Sequence, residues 1–280
     1  MLEKPISATP PCDGSGLMTP LIYSLSPQAA GSGNFLLGSF VFSTDASITE
    51  LYACAGFDFV IIDMEHGLND IASTVAHLRA ARGAGIHALV RPGAANLADL
   101  PRLLDAGCPG VMIPHFGLGD EATRQAIRSV RYWPEGARPT CTGVSAAGFG
   151  IADFSAYVRR ANAETLTIGL VEDRECIEHL DDVMEKREVN WIMPGPGDLA
   201  TAYGVPGQLR HPAVENAVDR VFEAGERIGT PIGMYVNDPK EIPRWYQKGA
   251  RFFVLSIDFK LLAKTLKETG SLCRSAVHAA

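Results

Sequence analysis

Two acids and a histidine follow directly behind a short apolar run in the stretch VIIDMEHGLND (residues 60–70). They are Asp63, Glu65 and His66. A histidine titrates near neutral pH and can transfer protons in a catalytic site. Asp63 lies three residues earlier and could orient or polarise the imidazole. The stretch therefore predicts an acid/base site at the end of a buried strand.

Two further carboxylates close later apolar runs. Glu172 follows LTIGLV, and Asp198 follows WIMPGPG. Oxygen ligands with water in the remaining positions suit Mg2+ or Mn2+. Zn2+ prefers Cys and His ligands, and the sequence contains no close cluster of these residues. The two carboxylates therefore predict a shared divalent cation.

An arginine and a glycine-rich turn complete the set of chemistry-bearing residues. Arg91 closes the run IHALV, and its permanent charge could fix a carboxylate or stabilise an enolate. The turn Gly195–Pro196–Gly197 leaves the backbone N–H groups of Gly197 and Asp198 accessible, and these could hold a substrate carboxylate. Together these groups favour carbon–carbon chemistry next to a 2-keto acid, with His66 transferring the proton.

Each of these residues also has a purely structural interpretation. Asp63 could cap the following helix, His66 could be a surface histidine, and Glu172 could complement the dipole of a helix N-terminus. The joint occurrence of two carboxylates, an arginine and a histidine at the ends of successive runs favours the functional interpretation.

Eight short apolar runs place these residues along the chain. They lie at 35–42, 57–63, 86–91, 110–115, 166–172, 190–195, 231–236 and 251–258. Continuous runs of this length, bounded by Gly or Pro, are typical of parallel strands buried on both faces. Segments with helical spacing lie between them, among them 45–56, 71–85, 95–107 and 120–132. The alternation predicts an α/β fold, an eight-stranded parallel (β/α)8 TIM barrel, whose catalytic groups gather at the C-terminal ends of the strands.

A doubly wound open sheet is the alternative fold. It would gain support from a G-x-G-x-x-G motif after the first strand, and the sequence has none there. Residues 1–34 are rich in Pro, Ser and Gly and are predicted to form an irregular arm. Residues 35–280 are predicted to form a single barrel domain with an extra C-terminal helix.

Composition excludes several classes of protein. The net charge of −7 gives no support for nucleic-acid binding. Six scattered cysteines indicate free thiols in a reducing compartment. No apolar stretch approaches the about 20 residues that span a bilayer, and no signal peptide is evident. We therefore expect a cytoplasmic protein with no membrane partner.

Six motifs in the chain match a known pattern. They are GFDFVIIDMEHGLND (56–70), LVRP (89–92), LLDAGCPGVMIPH (103–115), RYWPEGARP (131–139), LVED (170–173) and MPGPGDLA (193–200). With these motifs, the chain resembles the HpcH/HpaI aldolase family, metal-dependent class II pyruvate aldolases with a (β/α)8 barrel. The similarity runs from about residue 36 to 265, and the motifs are specific as a set.

The resemblance implies roles for four residues in proton transfer and charge stabilisation. His66 matches the acid/base histidine, and Asp63 matches the carboxylate beside it. Arg91 matches the arginine that stabilises the developing negative charge. Asp105 in LLDAG matches an acid that raises the basicity of the histidine, reached across a subunit contact.

The resemblance also implies a metal site and a substrate pocket. Glu172 and Asp198 match the two metal ligands, for Mg2+ or Mn2+ with Co2+ as a further candidate. Gly197 and Asp198 match the backbone cradle for the pyruvate carboxylate. Phe40 falls where the family often has a tryptophan that lines the pocket.

Two positions depart from the pattern of the family. Leu170 stands where these aldolases commonly have a glutamine, two residues before the metal-binding glutamate. His115 stands where many have a non-ionisable residue. With a histidine at this position, the chain is similar to macrophomate synthase. That relative decarboxylates oxaloacetate and adds the resulting enolate to a pyrone. His115 is therefore a candidate substrate-binding residue, or simply a polar residue lining the barrel mouth.

Three hypotheses about function follow. The first is reversible aldol cleavage of a 4-hydroxy-2-keto acid to pyruvate and an aldehyde. The second is an oxaloacetate decarboxylase or enolate-addition enzyme that uses the same enolate. The third is a non-catalytic binding barrel, which the retained carboxylates and Arg91 disfavour. A Schiff-base aldolase is disfavoured because none of the predicted strand ends carries a lysine.

The resemblance implies an assembly as well. The family forms hexamers, built as trimers of dimers, in which a C-terminal helix is exchanged between neighbours. Residues 259–273 have the apolar spacing of such a helix, although the last helix of a monomeric barrel would look the same.

Overall fold

The eight apolar runs form eight parallel strands in a computed structural model, which describes residues 35–119, 121–186 and 188–278. The predicted arm at 1–34 lies outside these residues. The strands are Leu36–Val41 (β1), Phe59–Asp63 (β2), His87–Arg91 (β3), Gly110–Ile113 (β4), Leu166–Val171 (β5), Trp191–Pro194 (β6), Ile232–Val236 (β7) and Ala250–Ile257 (β8). They pair in chain order, and β8 pairs with β1 to close the barrel. The predicted (β/α)8 barrel is confirmed.

Helices connect the strands on the outside of the barrel. They are Ser47–Cys54 (α1), Ile71–Ala84 (α2), Leu100–Asp105 (α3), Glu121–Ser129 (α4), Phe154–Glu164 (α5), Arg174–Glu178 (α6), Leu180–Glu185 (α7), Pro196–Ala202 (α8), Pro212–Ile228 (α9), Ile242–Gln247 (α10) and Asp258–His278 (α11). Three 3-10 helices lie at Ala94–Asp99, Ser145–Gly150 and Pro239–Glu241.

The helix expected at 95–107 is divided in two. The 3-10 helix Ala94–Asp99 precedes α3, and Asn96 has a non-helical backbone with φ −119° and ψ 23°. Pro101 lies in the first turn of α3, where its missing N–H would have no partner inside the helix. The proline therefore starts a new helix rather than continuing the previous one.

The two-residue repeat of a strand places functional side chains inside the barrel. Phe59 and Ile61 of β2 belong to the cluster that fills the barrel interior. Val60 and Ile62 belong to the layer between the strands and the helices. Since alternate residues share a face, Asp63 continues the interior series and lies at its C-terminal end.

The C-terminal helix α11 is almost entirely exposed in the single chain. The exposed fractions of Leu262, Leu266 and Leu272 are 51%, 62% and 71%. The described part of the chain contains no helix with the length and apolarity to cross a membrane.

Candidate active site

A cavity of about 320 Å3 opens at the C-terminal ends of the strands. Eight residues predicted for the site line it, namely Phe40, His66, Arg91, Glu172, Gly195, Pro196, Gly197 and Asp198. Three other predicted residues, Asp63, Asp105 and His115, do not belong to the lining. The barrel thus brings together residues that lie up to 158 positions apart in the sequence.

Arg91 and Asp63 form a buried, bidentate ion pair. The strand register places them side by side on β2 and β3. The Arg91 Nε donates to Asp63 Oδ1 at 3.0 Å, and its Nη2 donates to Asp63 Oδ2 at 2.5 Å. Burial alone would lower the pKa of Arg91, but the hydrogen bonds with Asp63 and the charge of Glu65 raise it. The guanidinium therefore stays charged and holds a fixed orientation.

Two further groups hold Arg91 at the cavity wall. Glu65 Oε2 lies 3.4 Å from Arg91 Nε. The guanidinium carbon lies 4.5 Å from the centroid of the Phe40 ring, which is a cation–π distance. Phe40 thus lines the cavity and also supports the arginine.

His66 lies at the rim of the cavity, with 61% of its side chain exposed. Its backbone N–H lies 3.5 Å from Asp63 Oδ1, which also accepts from the N–H of Glu65 at 2.9 Å. The closest carboxylate to its ring is that of Glu65, with Nε2 and Oε2 3.9 Å apart. Asp63 therefore orders the loop that carries His66, while its carboxylate pairs with Arg91.

Glu172 is a buried carboxylate that faces the cavity. Only 3% of the residue is exposed, and its Oε1 accepts the backbone N–H of His115 at 2.9 Å. Burial, together with the negative charge of Asp198, raises its pKa to about 7. Gly195 lies against it, because a Cβ at that position would be 2.9 Å from Glu172 Oε2. The glycine keeps the space in front of this oxygen open.

His115 lies behind Glu172, outside the cavity lining. Its backbone has a φ of 51°, a left-handed conformation that is costly for a residue other than glycine. Its Nδ1 lies 3.0 Å from Asp173 Oδ2 and 3.7 Å from Glu172 Oε1. Burial alone would lower the pKa of His115, but the bond with Asp173 and the charge of Glu172 raise it. His115 therefore contacts a cavity carboxylate rather than the cavity itself.

Asp198 enters the cavity from the first turn of the short helix α8. Gly195 precedes this helix, and Pro196 is its first residue. A Cβ on Gly197 would meet no atom within 4 Å, so the cavity is open at this point. The backbone cradle for a carboxylate at Gly197 and Asp198 stays a prediction.

Asp105 lies at the end of α3 and is paired within the chain. Its Oδ1 accepts from Nη2 of the buried Arg138 at 2.7 Å, and the same Nη2 donates to the Tyr157 hydroxyl at 3.1 Å. Among the described residues, the ion-pair partner of Asp105 is Arg138 and that of His66 is Glu65. The predicted action of Asp105 across a subunit contact stays a prediction.

The residues present fit a divalent cation held by two carboxylates. No group of three or more His, Cys, Asp or Glu side chains with metal-binding geometry exists among the described residues. Glu172 and Asp198 nevertheless line one cavity, and burial together with repulsion from Asp198 raises the pKa of Glu172. A cation would relieve this repulsion, with water in its remaining positions, as Mg2+ commonly allows.

Several cavity residues were not among the predicted site residues. Tyr235, Lys260 and Arg244 also line the cavity. Arg244 and Lys260 lie on helices that follow β7 and β8, beyond the strand ends at which catalytic residues were sought. A search of the first helical turn after each strand would have found Lys260.

The fold and the site together define a (β/α)8-barrel enzyme with acidic residues at its mouth. Residues 36–265 match the HpcH/HpaI aldolase/citrate lyase family, and the chain belongs to this family. The resemblance inferred from the six motifs is therefore confirmed, and the chain is an aldolase or lyase by its family.

Two curated relatives carry aldolase names. The hydroxypyruvate/pyruvate aldolase of Sagittula stellata is 31% identical over 248 residues, which cover 89% of this chain and 95% of that protein. The 5-keto-4-deoxy-D-glucarate aldolase of Escherichia coli is 31% identical over 225 residues, which cover 79% and 86%.

Macrophomate synthase is a structural neighbour. Its crystal structure has a TM-score of 0.82 and 24% identity, and the match covers 92% of this chain and 90% of that one. At this level of identity the likeness shows a shared barrel fold.

Proposed function

We propose that the protein is a divalent-metal-dependent class II aldolase that reversibly cleaves a 4-hydroxy-2-keto acid to pyruvate and an aldehyde. The observation that carries the proposal is that Glu172 and Asp198 line the same cavity as Arg91. The aldolase names of the two curated relatives support it. Mg2+ and Mn2+ are the proposed ions, and Co2+ is a further candidate.

The proposed metal site consists of Glu172 and Asp198. A divalent ion there would supply Lewis acidity to the oxygens of the keto acid. Gly195 leaves room in front of Glu172 Oε2 for it.

Arg91 would bind the keto-acid oxygen on which negative charge develops as the carbon–carbon bond breaks. Its two bonds to Asp63 and its contact with Phe40 fix the guanidinium before the substrate arrives. A donor fixed in this way stabilises the enolate without rearranging during the reaction.

His66 would transfer the proton. It reaches the cavity from a loop ordered by Asp63, and its exposed ring can exchange protons with water. In the cleavage direction it removes the proton of the 4-hydroxyl, and in the reverse direction it returns the proton to the new alkoxide.

An oxaloacetate decarboxylase or enolate-addition enzyme is the second candidate. It is favoured by Leu170, which lines the cavity at a position where these aldolases commonly have a polar residue. Such an enzyme would form the same pyruvate enolate by loss of CO2, so the same Arg91 would serve it.

Assembly into a hexamer, a trimer of dimers, is also proposed. The exposed leucines of α11 would pack against a neighbouring chain, as the family resemblance implies. Size-exclusion chromatography with light scattering tests this, and a monomer would contradict it.

Pyruvate release by the purified protein tests the proposed function. The protein is assayed with a 4-hydroxy-2-keto acid and separately with oxaloacetate, each with Mg2+, Mn2+ or EDTA. We expect metal-dependent release that EDTA and Glu172→Ala abolish. Glu175→Ala, an exposed residue three positions later, is the matched control and should retain activity.

The outcome separates the candidates. Preference for the 4-hydroxy-2-keto acid supports the aldolase, and preference for oxaloacetate supports the decarboxylase. Release that survives EDTA, combined with inactivation by pyruvate and borohydride, would indicate a Schiff base and contradict the metal mechanism.

A further inference from the structure

The inner face of β1 continues past the end of the strand. The strand ends at Val41, and alternate residues of an extended chain share a face. Phe40 inside the strand and Phe42 after it both line the active-site cavity and pack against the barrel interior. Phe40 is fixed by its pairing with Ile61 on one side and Ile257 on the other. Phe42 lies beyond this ladder, so other groups hold its backbone.

Three buried side chains contact the backbone of Phe42 and Ser43. The carboxylate of Asp258, the first residue of α11, accepts the N–H of Phe42 at 3.1 Å and that of Ser43 at 2.9 Å. Nδ2 of Asn69 lies 3.4 Å from the carbonyl oxygen of Phe42. Nε2 of His77, on α2, lies 3.0 Å from the carbonyl oxygen of Ser43. All four backbone polar groups of the two residues therefore have side-chain partners.

These contacts define the tautomer of His77. A carbonyl oxygen can only accept, so Nε2 carries a proton and donates it to Ser43. Burial lowers the pKa of His77, so the ring is neutral at pH 7. Its Nδ1 lies 2.8 Å from the hydroxyl of Thr49 on α1 and accepts from it. Thr49 thus orients the imidazole, and the imidazole orients the loop after β1.

The three side chains come from the elements on both sides of β1. Asp258 follows β8, whereas Asn69 and His77 follow β2, and these two strands are the neighbours of β1 in the barrel. Buried polar side chains are costly without partners. Side chains that line a binding site are kept in place by hydrogen bonds of this kind from behind. The arrangement indicates that the position of Phe42 matters for binding in the cavity.

We propose that His77, Asn69 and Asp258 are positioning residues, which hold the backbone of Phe42 and Ser43 and so fix the Phe42 ring in the cavity wall. A ring that is ordered before the substrate arrives spares binding the entropy cost of ordering it. The kinetic part of this inference rests on the proposed function, because it concerns binding of the same keto acid. The anchoring of the loop does not depend on that function.

Two substitutions of His77 test the proposal by kinetics. His77→Leu removes the donor to Ser43, whereas His77→Gln keeps an amide donor. With 4-hydroxy-2-oxopentanoate as the probe, His77→Leu should raise KM about fivefold, because the loose ring must be ordered on binding. Its kcat should stay within about twofold, because Phe42 supplies no polar group to the reaction. His77→Gln should keep a KM close to that of the unaltered protein.

Hydrogen–deuterium exchange of the full-length protein gives a readout that needs no turnover. Exchange at the amides of Phe42 and Ser43 reports the order of the loop directly. It should be about tenfold faster in His77→Leu than in the unaltered protein, as expected for the loss of one buried hydrogen bond. Thr49→Val removes only the hydroxyl that orients the imidazole and should give a smaller increase. This variant carries the test if His77→Leu does not fold.

Asn190→Leu is the matched control at the opposite end of the barrel. Asn190 precedes β6, and its Oδ1 accepts from the N–H of Thr167 at 2.9 Å and from Arg131 Nη2 at 3.0 Å. The variant should lower the unfolding temperature but leave KM and the exchange at Phe42 unchanged. An unchanged KM and unchanged exchange in His77→Leu, or equal effects of the Leu and Gln variants, would overturn the proposal.

The two readouts separate this inference from the proposed function. Faster exchange in His77→Leu, together with an unaltered protein that has no aldol activity, would reject the aldolase and retain the anchoring of the loop. Aldol activity combined with unchanged exchange in both His77→Leu and Thr49→Val would retain the aldolase and reject the positioning role.

Discussion

At the ends of β2 and β3, Arg91 lies between Asp63 and Glu65, so a buried cation meets two carboxylates. At the ends of β5 and β6, Glu172 and Asp198 face the same cavity. No lysine or arginine pairs with either of these two carboxylates within the described residues. On the first side a buried cation holds both carboxylates, whereas on the second side neither carboxylate has a lysine or arginine partner in the part of the chain described.

The difference indicates separate tasks for the two sides. A matched pair such as Arg91 and Asp63 keeps its geometry with or without a ligand, which suits a group that must be oriented in advance. A buried carboxylate without a cationic partner, such as Glu172, is costly because it is repelled by the neighbouring Asp198 or must hold a proton. A cation relieves that cost, so a metal ion would bind on the side where the carboxylates have no lysine or arginine partner.

The largest expected effect comes from breaking the matched side. Arg91→Met leaves the fully buried Asp63 without its cation, which typically costs about 3–5 kcal/mol. For a domain of this size, the midpoint of thermal unfolding should fall by about 10 °C. Calorimetry of the variant and a pyruvate-release assay measure the two losses, and activity should fall to background.

Two controls accompany this prediction. The double variant Asp63→Asn/Arg91→Met removes both charges and should recover part of the lost stability. Arg102→Met breaks an exposed pair with Asp99 and should change stability by less than about 1 kcal/mol. If Arg91→Met were as mild as Arg102→Met, the buried pair would not stabilise the barrel mouth.

The next largest expected effect is a dependence of stability on pH, caused by Glu172 on the side without a lysine or arginine partner. Burial and the charge of Asp198 raise the pKa of Glu172 to about 7, from a usual value of 4.5. Between these pH values the folded protein holds a proton that the unfolded chain has released. The metal-free protein should therefore lose stability as pH rises from 5 to 8, by about 2–3 kcal/mol.

Unfolding midpoints measured in EDTA from pH 5 to 8 test this effect. Glu172→Gln has no such proton to lose, so its profile should be flatter than that of the unaltered protein. Mn2+ at pH 8 should restore the stability of the unaltered protein and leave Glu172→Gln unchanged. Parallel pH profiles for the two proteins would contradict the assignment.

Much of the site could be predicted because the apolar runs in the sequence show clearly where the strands end. The apolar runs that predict β2, β3 and β5 end at Asp63, Arg91 and Glu172, and the two-residue repeat of a strand carries these side chains to the barrel interior. The local sequence is enough to predict the strand ends and the face on which each side chain lies. The barrel fold then brings the C-terminal ends of these strands together.

The partners of these residues could not be predicted in the same way. Asp63 pairs with Arg91 because of the register of β2 against β3, which depends on the packing of the whole barrel. His115 lies behind Glu172 because its backbone adopts a left-handed conformation, which a histidine in the sequence does not predict. Lys260 reaches the cavity from a helix rather than from a strand end.

The smallest expected effect concerns the support behind Glu172. Asp173 is within hydrogen-bonding distance of the His115 ring, and the backbone N–H of His115 donates to Glu172. Asp173→Asn keeps the shape of the side chain but removes a negative charge near the cation site and weakens its hold on His115. Groups that support a metal ligand typically contribute tenfold or more to affinity, so the Kd for Mn2+ should rise by about tenfold.

Calorimetric titration with Mn2+ measures this change, and Asp182→Asn on the exposed face of α7 is the control. Both variants should unfold at nearly the same temperature as the unaltered protein, because neither alters the buried pair at Arg91. A Kd that stays constant in Asp173→Asn would show that the backbone N–H alone positions Glu172. The His115 ring would then have no part in the metal site, and the unmatched side would consist of Glu172 and Asp198 alone.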